Sequence, residues 1–189
     1  MHGSHVTDTP PISSLPIQVE AGAAFGSGEH GTTRGCMEAL SSIARRRNAT
    51  RILDMGTGSG ILAIAAAHLW NAEILAVDID PVAVEVTREN VRINRMHHRI
   101  DCAVSDGYAS RIVKRFGDCD IIIANILARP LVAFAPKLAA SLKPGGMCVL
   151  SGLLIDQETM VLAAHRAQGM RLIKRLHFEG WSTLVLASG

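Results

Sequence analysis

Residues 52–60, ILDMGTGSG, join the end of an apolar strand pattern to the start of an alanine-rich helix pattern. Glycines at such a junction let the backbone approach a ligand at the carboxyl edge of a parallel sheet. A dinucleotide fingerprint, G-x-G-x-x-G, would have its third glycine at position 61, which holds isoleucine. The spacing therefore favours a ligand without a pyrophosphate, and we expect four residues to belong to its site: Asp54, Gly56, Gly58 and Gly60.

Two carboxylates come directly after the next strand patterns. Asp78 ends the apolar run 74–77, about 20 positions after the first glycine of the loop, which is the usual interval for a ribose-binding acid. Its two oxygens can accept both hydroxyl groups of an adenosine ribose. Asp80 precedes a proline and is predicted to cap the following helix. Asp106, in Ser105-Asp106-Gly107, is a candidate acceptor for an adenine amino group, with a simple turn aspartate as the alternative.

Asn125 ends a third apolar run, residues 121–124. An amide at the end of a buried strand is an awkward choice unless its hydrogen-bonding groups are used. The amide oxygen can accept an N–H from an amine and so aim the nitrogen lone pair at a methyl group. We therefore predict a catalytic positioning role for Asn125, with a purely structural amide as the alternative.

Strand and helix patterns alternate from position 51 to position 167. Strands separated by helix-length crossovers predict a parallel sheet with helices on both faces. Two further strand patterns, 170–178 and 182–187, flank Glu179-Gly180 and predict a hairpin. The sequence thus predicts an α/β, Rossmann-like fold: a seven-stranded, mostly parallel sheet with a C-terminal antiparallel hairpin.

The chain is predicted to form one domain, residues 17–189, preceded by a linker or flexible arm, residues 1–16. The arm is rich in Ser, Thr, Pro and His and shows no periodicity. Within the domain, Thr32 or Thr33 is predicted to cap a first helix. Pro144-Gly145-Gly146 is predicted to be a turn that leads into a fifth strand, residues 147–151.

Composition excludes several classes of protein. The formal net charge of +2 comes without the concentrated basic face typical of nucleic-acid-binding proteins, so we find no strong nucleic-acid signal. The four cysteines lack the paired spacing of a zinc site, and no metal is predicted. No apolar run is long enough to span a membrane, and no signal-peptide pattern opens the sequence. We therefore predict a cytoplasmic protein without membrane contacts.

Residues 21–33, AGAAFGSGEHGTT, allow a family to be named. This segment resembles the A-F-G-T-G-x-H-x-T-T segment of the bacterial ribosomal protein L11 methyltransferase family (PrmA). The glycine loop, then VDIDP at 77–81 and ANILA at 124–128, follow in the family's order. The resemblance runs from Ile17 to the C-terminus. Ser27 stands where threonine is usual, and Gly31 where proline is common.

The resemblance implies a class I methyltransferase with S-adenosyl-L-methionine as its cofactor. It assigns four cofactor contacts: Thr33, Gly56, Asp78 and Asn125. Phe25 and Gly26 precede Thr33 in the same glycine-rich segment, and we expect them to bind the cofactor as part of a loop that closes over it, with a static connection as the alternative. The implied substrate is ribosomal protein L11, methylated on lysine side chains and on its N-terminal amine. The family also has an N-terminal domain that docks this substrate, and the present chain begins in what resembles the linker after it.

Methyl transfer to an amine needs little more than alignment of donor and acceptor, but the amine must be neutral. A neutral amide does not stabilise the ammonium form as a carboxylate would, so Asn125 suits a positioning role and not that of a base. Two other functions stay open. One is methylation of RNA or a small molecule, although aromatic residues are sparse for an RNA groove at 4%. The other is a non-catalytic adenosine-binding module.

Overall fold

A seven-stranded sheet runs through the part of the chain that the computed structural model describes, residues 17–19 and 30–189. The strands are β1 (Arg51–Met55), β2 (Glu73–Asp78), β3 (Ile100–Val104), β4 (Cys119–Asn125), β5 (Leu142–Leu154), β6 (Arg171–Phe178) and β7 (Trp181–Ala187). Their order is β3-β2-β1-β4-β5-β7-β6. The first five strands are parallel, and β7 pairs antiparallel with β5 and β6. The predicted fold class is confirmed.

Helices cover both faces of this sheet. They are α1 (Gly31–Ala44), α2 (Ile61–Leu69), α3 (Pro81–Ile93), α4 (Arg111–Phe116), α5 (Ala128–Ala140) and α6 (Glu158–Arg166). Alternate strand residues point to opposite faces, so Ile52 joins the core beneath α1, α2 and α3 while Leu53 joins the core beneath α4, α5 and α6. No described helix is long and apolar enough to cross a membrane.

The first helix begins earlier than the hydroxyl residues predict. His30 is its N-cap, and the ring of His30 accepts a hydrogen bond from the backbone N–H of Thr32. The predicted cap at Thr32 or Thr33 is therefore wrong, because both threonines lie inside the first turn. An imidazole nitrogen can cap a helix in place of a hydroxyl, and this leaves the two hydroxyl groups available for other contacts.

The predicted turn at residues 144–146 lies inside β5 and does not precede it. Cys119 pairs with Leu142, and the next pair is Ile121 with Met147, so β5 bulges between these positions. Gly145 has a φ of 72°, in the left-handed region that glycine tolerates. A bulge absorbs the extra residues without ending the strand. The sequence pattern does not predict helix α4, because a six-residue helix is too short to show a clear helical periodicity of apolar residues.

One carboxylate joins the amino ends of β1 and β4. Asp120 accepts hydrogen bonds from the backbone N–H groups of Thr50 and Arg51, both at 2.9 Å, and from the Thr50 hydroxyl at 2.8 Å. The ammonium group of Lys143 lies 2.8 Å from its other oxygen. Burial opposes ionisation, but these donors together outweigh it and lower the pKa of Asp120 to about 2.

Asp120→Asn is expected to destabilise the protein at neutral pH by an amount that shrinks in acid. The pKa of Asp120 falls from 3.8 to about 2 on folding, so the carboxylate stabilises the fold above about pH 4. That contribution is lost as the pH falls from about 4 to about 2. Urea denaturation of both proteins across this range measures the difference. Asp118→Asn, at an exposed carboxylate nearby, is the control; a destabilisation that does not vary with pH would contradict the assignment.

Candidate functional site

A cleft of about 410 Å³ opens at the carboxyl ends of the central parallel strands, where doubly wound sheets bind their ligands. Six of the ten predicted site residues line it: Thr33, Gly56, Gly58, Asp78, Asp106 and Asn125. Asp54 and Gly60 lie beside the cleft without lining it. Phe25 and Gly26 lie outside the described residues. The topology thus brings together side chains that are up to 92 positions apart in the sequence.

The glycine loop is folded back onto β2. The backbone N–H groups of Gly56 and Thr57 both donate to the carbonyl oxygen of Val77, at 2.8 and 3.0 Å. Gly56 has a φ of 76°, and a Cβ atom there would lie 2.3 Å from a methyl carbon of Ile126. Both the backbone conformation and the close approach of Ile126 therefore require glycine at this position.

Helix α3 holds the same loop from the other side. The Thr87 hydroxyl donates to the carbonyl oxygen of Gly58, and the Asn90 side chain donates to that of Ser59, both at 2.9 Å. A Cβ atom on Gly60 would lie 2.8 Å from the Thr87 methyl carbon. The missing side chain of Gly60 thus allows the loop to pack against α3, and a ligand contact at Gly60 stays a prediction.

Asp54 supports the glycine loop from beneath. It is buried, and one of its oxygens accepts a 2.8 Å hydrogen bond from the Thr57 hydroxyl. Burial raises the pKa of Asp54 to about 7, against the opposing effect of hydrogen bonds from Thr57 and Ala63, and the nearby Asp78 raises it further. Asp54 thus fixes the loop conformation and does not line the cleft.

Asp78 faces the cleft with part of its hydrogen-bonding capacity in use. One carboxylate oxygen accepts the backbone N–H of Gly58 at 2.9 Å, and the other accepts that of Asp80 at 3.1 Å. A carboxylate has about four acceptor positions, so each oxygen can accept one more hydrogen bond. That arrangement suits two neighbouring hydroxyl groups. Asp80 caps α3 by accepting from the N–H of Val82 at 2.8 Å, which confirms its predicted role.

The loop after β3 also lines the cleft, through Ser105, Asp106 and Gly107. The Ser105 hydroxyl donates to the carbonyl oxygen of Gly107 at 2.9 Å and holds a tight turn there. The ring of Phe134 packs against Gly107 and makes an edge contact with Tyr108, with 5.4 Å between the ring centroids. Asp106 is exposed at the rim of this apolar wall. It is therefore accessible to a polar edge of a flat ligand that lies on the wall.

Two polar atoms at the inner end of the cleft are buried without a hydrogen-bond partner among residues 17–19 and 30–189. They are the Thr33 hydroxyl oxygen and the Asn125 amide oxygen. Buried polar atoms in folded proteins almost always have partners, so two such atoms beside one cleft point to a polar ligand. The Asn125 NH₂ group, in contrast, donates to the Thr32 hydroxyl oxygen at 3.4 Å.

Sequence reasoning missed the apolar rim of the cleft. Ile79 and Leu127 are 70% and 71% exposed although both are large hydrophobic residues. Ile79 directly follows Asp78, and Leu127 comes two positions after Asn125. A large apolar residue this close to a predicted site residue is the signal that could have identified both. Among the described residues, no three His, Cys, Asp or Glu side chains are arranged to hold a metal ion.

Comparison with known proteins shows which family this chain resembles. The family model described as ribosomal protein L11 methyltransferase (PrmA) matches residues 3–188. A ribosomal protein L11 methyltransferase of Rhizobium rhizogenes is 47% identical over 98% of this chain and 64% of its own length. That of Chelativorans sp. is 46% identical over 97% of this chain and 63% of its own length. The chain thus spans just under two thirds of these curated relatives.

Solved structures agree with the sequence comparison. A ribosomal protein L11 methylase from Lactobacillus delbrueckii subsp. bulgaricus is 29% identical, covers 96% of this chain and 91% of its own, and has a TM-score of 0.81. An RNA methyltransferase from Salinibacter ruber, solved with S-adenosyl-L-homocysteine, shares the fold at 17% identity, 80% coverage of this chain, 88% of its own and a TM-score of 0.62. The match to the family model over nearly the whole sequence shows that this chain belongs to the ribosomal protein L11 methyltransferase family.

Proposed function

We propose that this chain carries the catalytic centre of an S-adenosylmethionine-dependent methyltransferase that modifies amine nitrogens of ribosomal protein L11. The observation that carries the proposal is the Asn125 amide oxygen, which is buried at the cleft without a partner among the described residues. It can accept an N–H of an entering amine. Lysine side chains and the N-terminal amine of the substrate are the proposed methyl acceptors.

The chemistry of the cleft fits S-adenosyl-L-methionine. Gly56 and Gly58 let the backbone approach a ligand closely, and Asp78 has acceptor positions for two ribose hydroxyl groups. Asp106, at the rim of the cleft, can accept a hydrogen bond from an adenine amino group. The buried Thr33 hydroxyl can hydrogen-bond to the polar end of the ligand. When bound, this cofactor supplies an electrophilic methyl group. Phe25 and Gly26 complete the proposed set of contacts.

The role of this chain's residues in the reaction is to bind and align. Methyl transfer is an in-line displacement, which gains most from holding donor and acceptor close and correctly oriented. Asn125 accepts one amine N–H and thereby directs the nitrogen lone pair. A lysine must lose its proton first, at a cost of roughly 4.6 kcal/mol at pH 7, against about 1 kcal/mol for an N-terminal amine. We propose that this proton is lost to solvent before the amine enters the cleft.

Asp78→Ala is expected to weaken S-adenosylmethionine binding by roughly 1.5–3 kcal/mol, because hydrogen bonds from ribose to a charged acceptor are lost. Isothermal titration calorimetry with the cofactor and with its demethylated product measures the change. Asp80→Asn is the matched control, since asparagine keeps the cap of α3 and position 80 does not line the cleft. Unchanged affinity in Asp78→Ala would remove Asp78 from the site.

Two observations separate this proposal from its alternatives. Transfer of radiolabelled methyl groups to purified ribosomal protein L11, but not to RNA, would support the protein substrate. Tight cofactor binding without transfer to any of these acceptors, by the chain alone and by the chain joined to the part of a relative that it does not span, would favour an adenosine-binding module. A cytoplasmic location is part of the proposal, because a ribosomal protein is made and assembled there.

A further inference from the structure

We propose, on the basis of the function proposed above, that Thr32 is a positioning residue for the methyl acceptor. Its hydroxyl group fixes the Asn125 amide in the orientation that turns the oxygen, and not the NH₂ group, towards the amine. Thr32 itself does not line the cleft. It acts on the reaction through Asn125.

The first step of the argument is the state of the His30 ring. As the N-cap of α1, Nδ1 of His30 accepts the backbone N–H of Thr32 at 3.5 Å. An imidazole nitrogen that accepts a hydrogen bond carries a lone pair and no proton. On this contact we assign the proton of the neutral ring to Nε2, which makes Nδ1 an acceptor towards the Thr32 hydroxyl as well.

The second step is the direction of the Thr32 hydroxyl. Its oxygen lies 2.9 Å from Nδ1 of His30. In the assigned tautomer Nδ1 has no proton to give, so the hydroxyl proton points towards the ring. A hydroxyl group has one proton, so the Thr32 oxygen can act only as an acceptor towards any third group.

The third step is the Asn125 amide. Its Nδ2 lies 3.4 Å from the Thr32 oxygen. Since that oxygen can only accept, it selects the NH₂ end of the amide and rejects the carbonyl end. The amide oxygen is then left buried and unpartnered among the described residues, at the cleft that Asn125 lines. A single chain of proton donation thus runs from Asn125 through Thr32 to His30.

The backbone of Thr32 is held in place independently of this chain. The Ser151 hydroxyl lies 3.4 Å from the Thr32 carbonyl oxygen and 2.9 Å from the Thr183 hydroxyl. The first turn of α1 also packs closely on the C-terminal hairpin, because a Cβ atom on Gly35 would lie 2.2 Å from the Thr183 hydroxyl oxygen, and one on Gly31 would lie 2.7 Å from the Phe178 carbonyl oxygen. These contacts hold Thr32 in place, so its hydroxyl group can fix the orientation of the Asn125 amide.

A reversed amide would oppose the reaction in two ways. Its NH₂ group would face the amine N–H, so that two donors would meet without an acceptor. It could also donate to the amine lone pair, which is the electron pair that must attack the methyl carbon. We therefore expect the orientation of Asn125 to affect the rate of transfer and not the affinity for the cofactor.

Thr32→Val is expected to lower kcat for methylation of ribosomal protein L11 by roughly tenfold, the equivalent of one hydrogen bond of about 1.4 kcal/mol. The dissociation constant for S-adenosylmethionine is expected to stay within twofold of the original. Thr32→Ser keeps the hydroxyl and is expected to retain most of the rate. Thr159→Val, on the exposed face of α6, is the matched control. Equal losses in Thr32→Ser and Thr32→Val would overturn the proposal, because they would indicate a packing role.

Nuclear magnetic resonance gives a readout that does not depend on activity. In ¹⁵N-labelled protein, the side-chain NH₂ protons of Asn125 are expected to show nuclear Overhauser effects to Thr32 and slow exchange with water. In Thr32→Val these protons should exchange faster. An NH₂ group without contacts to Thr32 in the original protein would overturn the inference, whether or not the chain transfers methyl groups. Loss of cofactor binding with these contacts intact would instead count against the proposed function.

Discussion

Asn125→Asp is expected to lower the rate of methyl transfer at pH 7 by a factor of roughly 10 to 10³ and to move the pH–rate profile to higher pH. A carboxylate within about 4–6 Å of an amine raises the pKa of its ammonium form by roughly 1–3 pH units, because the negative charge stabilises the protonated amine. Each unit lowers the neutral, reactive fraction about tenfold. The substitution is nearly isosteric, so the effect comes from charge and not from size. Steady-state kinetics between about pH 7 and pH 10 measure both changes.

The matched control for this substitution is Asn71→Asp, which adds the same charge at an exposed position before β2. It should leave the pH–rate profile unchanged. Calorimetry with S-adenosylmethionine separates an effect on cofactor binding from an effect on transfer. A variant at position 125 that retains the full rate at pH 7 would show that the neutrality of the amide is not needed.

Joining this chain to the part of a relative that it does not span is expected to raise the rate of ribosomal protein L11 methylation by roughly 10²–10⁴-fold at low substrate concentration. The chain spans 64% of the Rhizobium rhizogenes relative, and the family resemblance assigns substrate docking to an N-terminal domain. In the proposed function the cleft would orient an amine after it arrives, and binding energy from remote contacts would bring the substrate to it. Radiolabelled methyl transfer by the chain alone and by the fusion gives the comparison.

Two controls define this second result. Mixing the separate parts without a covalent link should give much less gain than the fusion, because the gain comes from effective concentration. The affinity for S-adenosylmethionine should be equal in the chain alone and in the fusion. Equal rates of methylation in both proteins would show that the residues described here select the substrate by themselves.

Local sequence signals were sufficient for the fold and for part of the site. The pattern of β1, the glycine loop and α2 gave the correct strand and helix, and Asp78 and Asn125 fall at the carboxyl ends of β2 and β4 as expected. These residues are recognisable because a polar side chain directly after a buried apolar run has few structural reasons to be there. The same reasoning identified the cap at Asp80.

Other features depend on contacts between distant segments, which no local pattern records. The glycine motif does not show that Asp54 accepts a hydrogen bond from Thr57 beneath the loop, or that Gly60 packs against Thr87 of α3. The cap at His30 was missed because threonine is the commoner cap residue, and the Thr32 hydroxyl is turned towards His30 and Asn125. Pro144-Gly145-Gly146 predicted a turn, whereas the structure has a bulge in β5, because this sequence is compatible with a turn and with a bulge.

The close packing of α1 on the C-terminal hairpin has a consequence for the order of events during protein synthesis. Thr33 precedes Phe178 and Thr183 in chain order, and the first turn of its helix packs against these two residues. The last residue in chain order that lines the cleft is Phe134, so the first turn of α1 reaches its final packing only after a later part of the chain has been made. Substitutions in β6 and β7 can therefore shift α1 and Thr33 without changing any residue that lines the cleft.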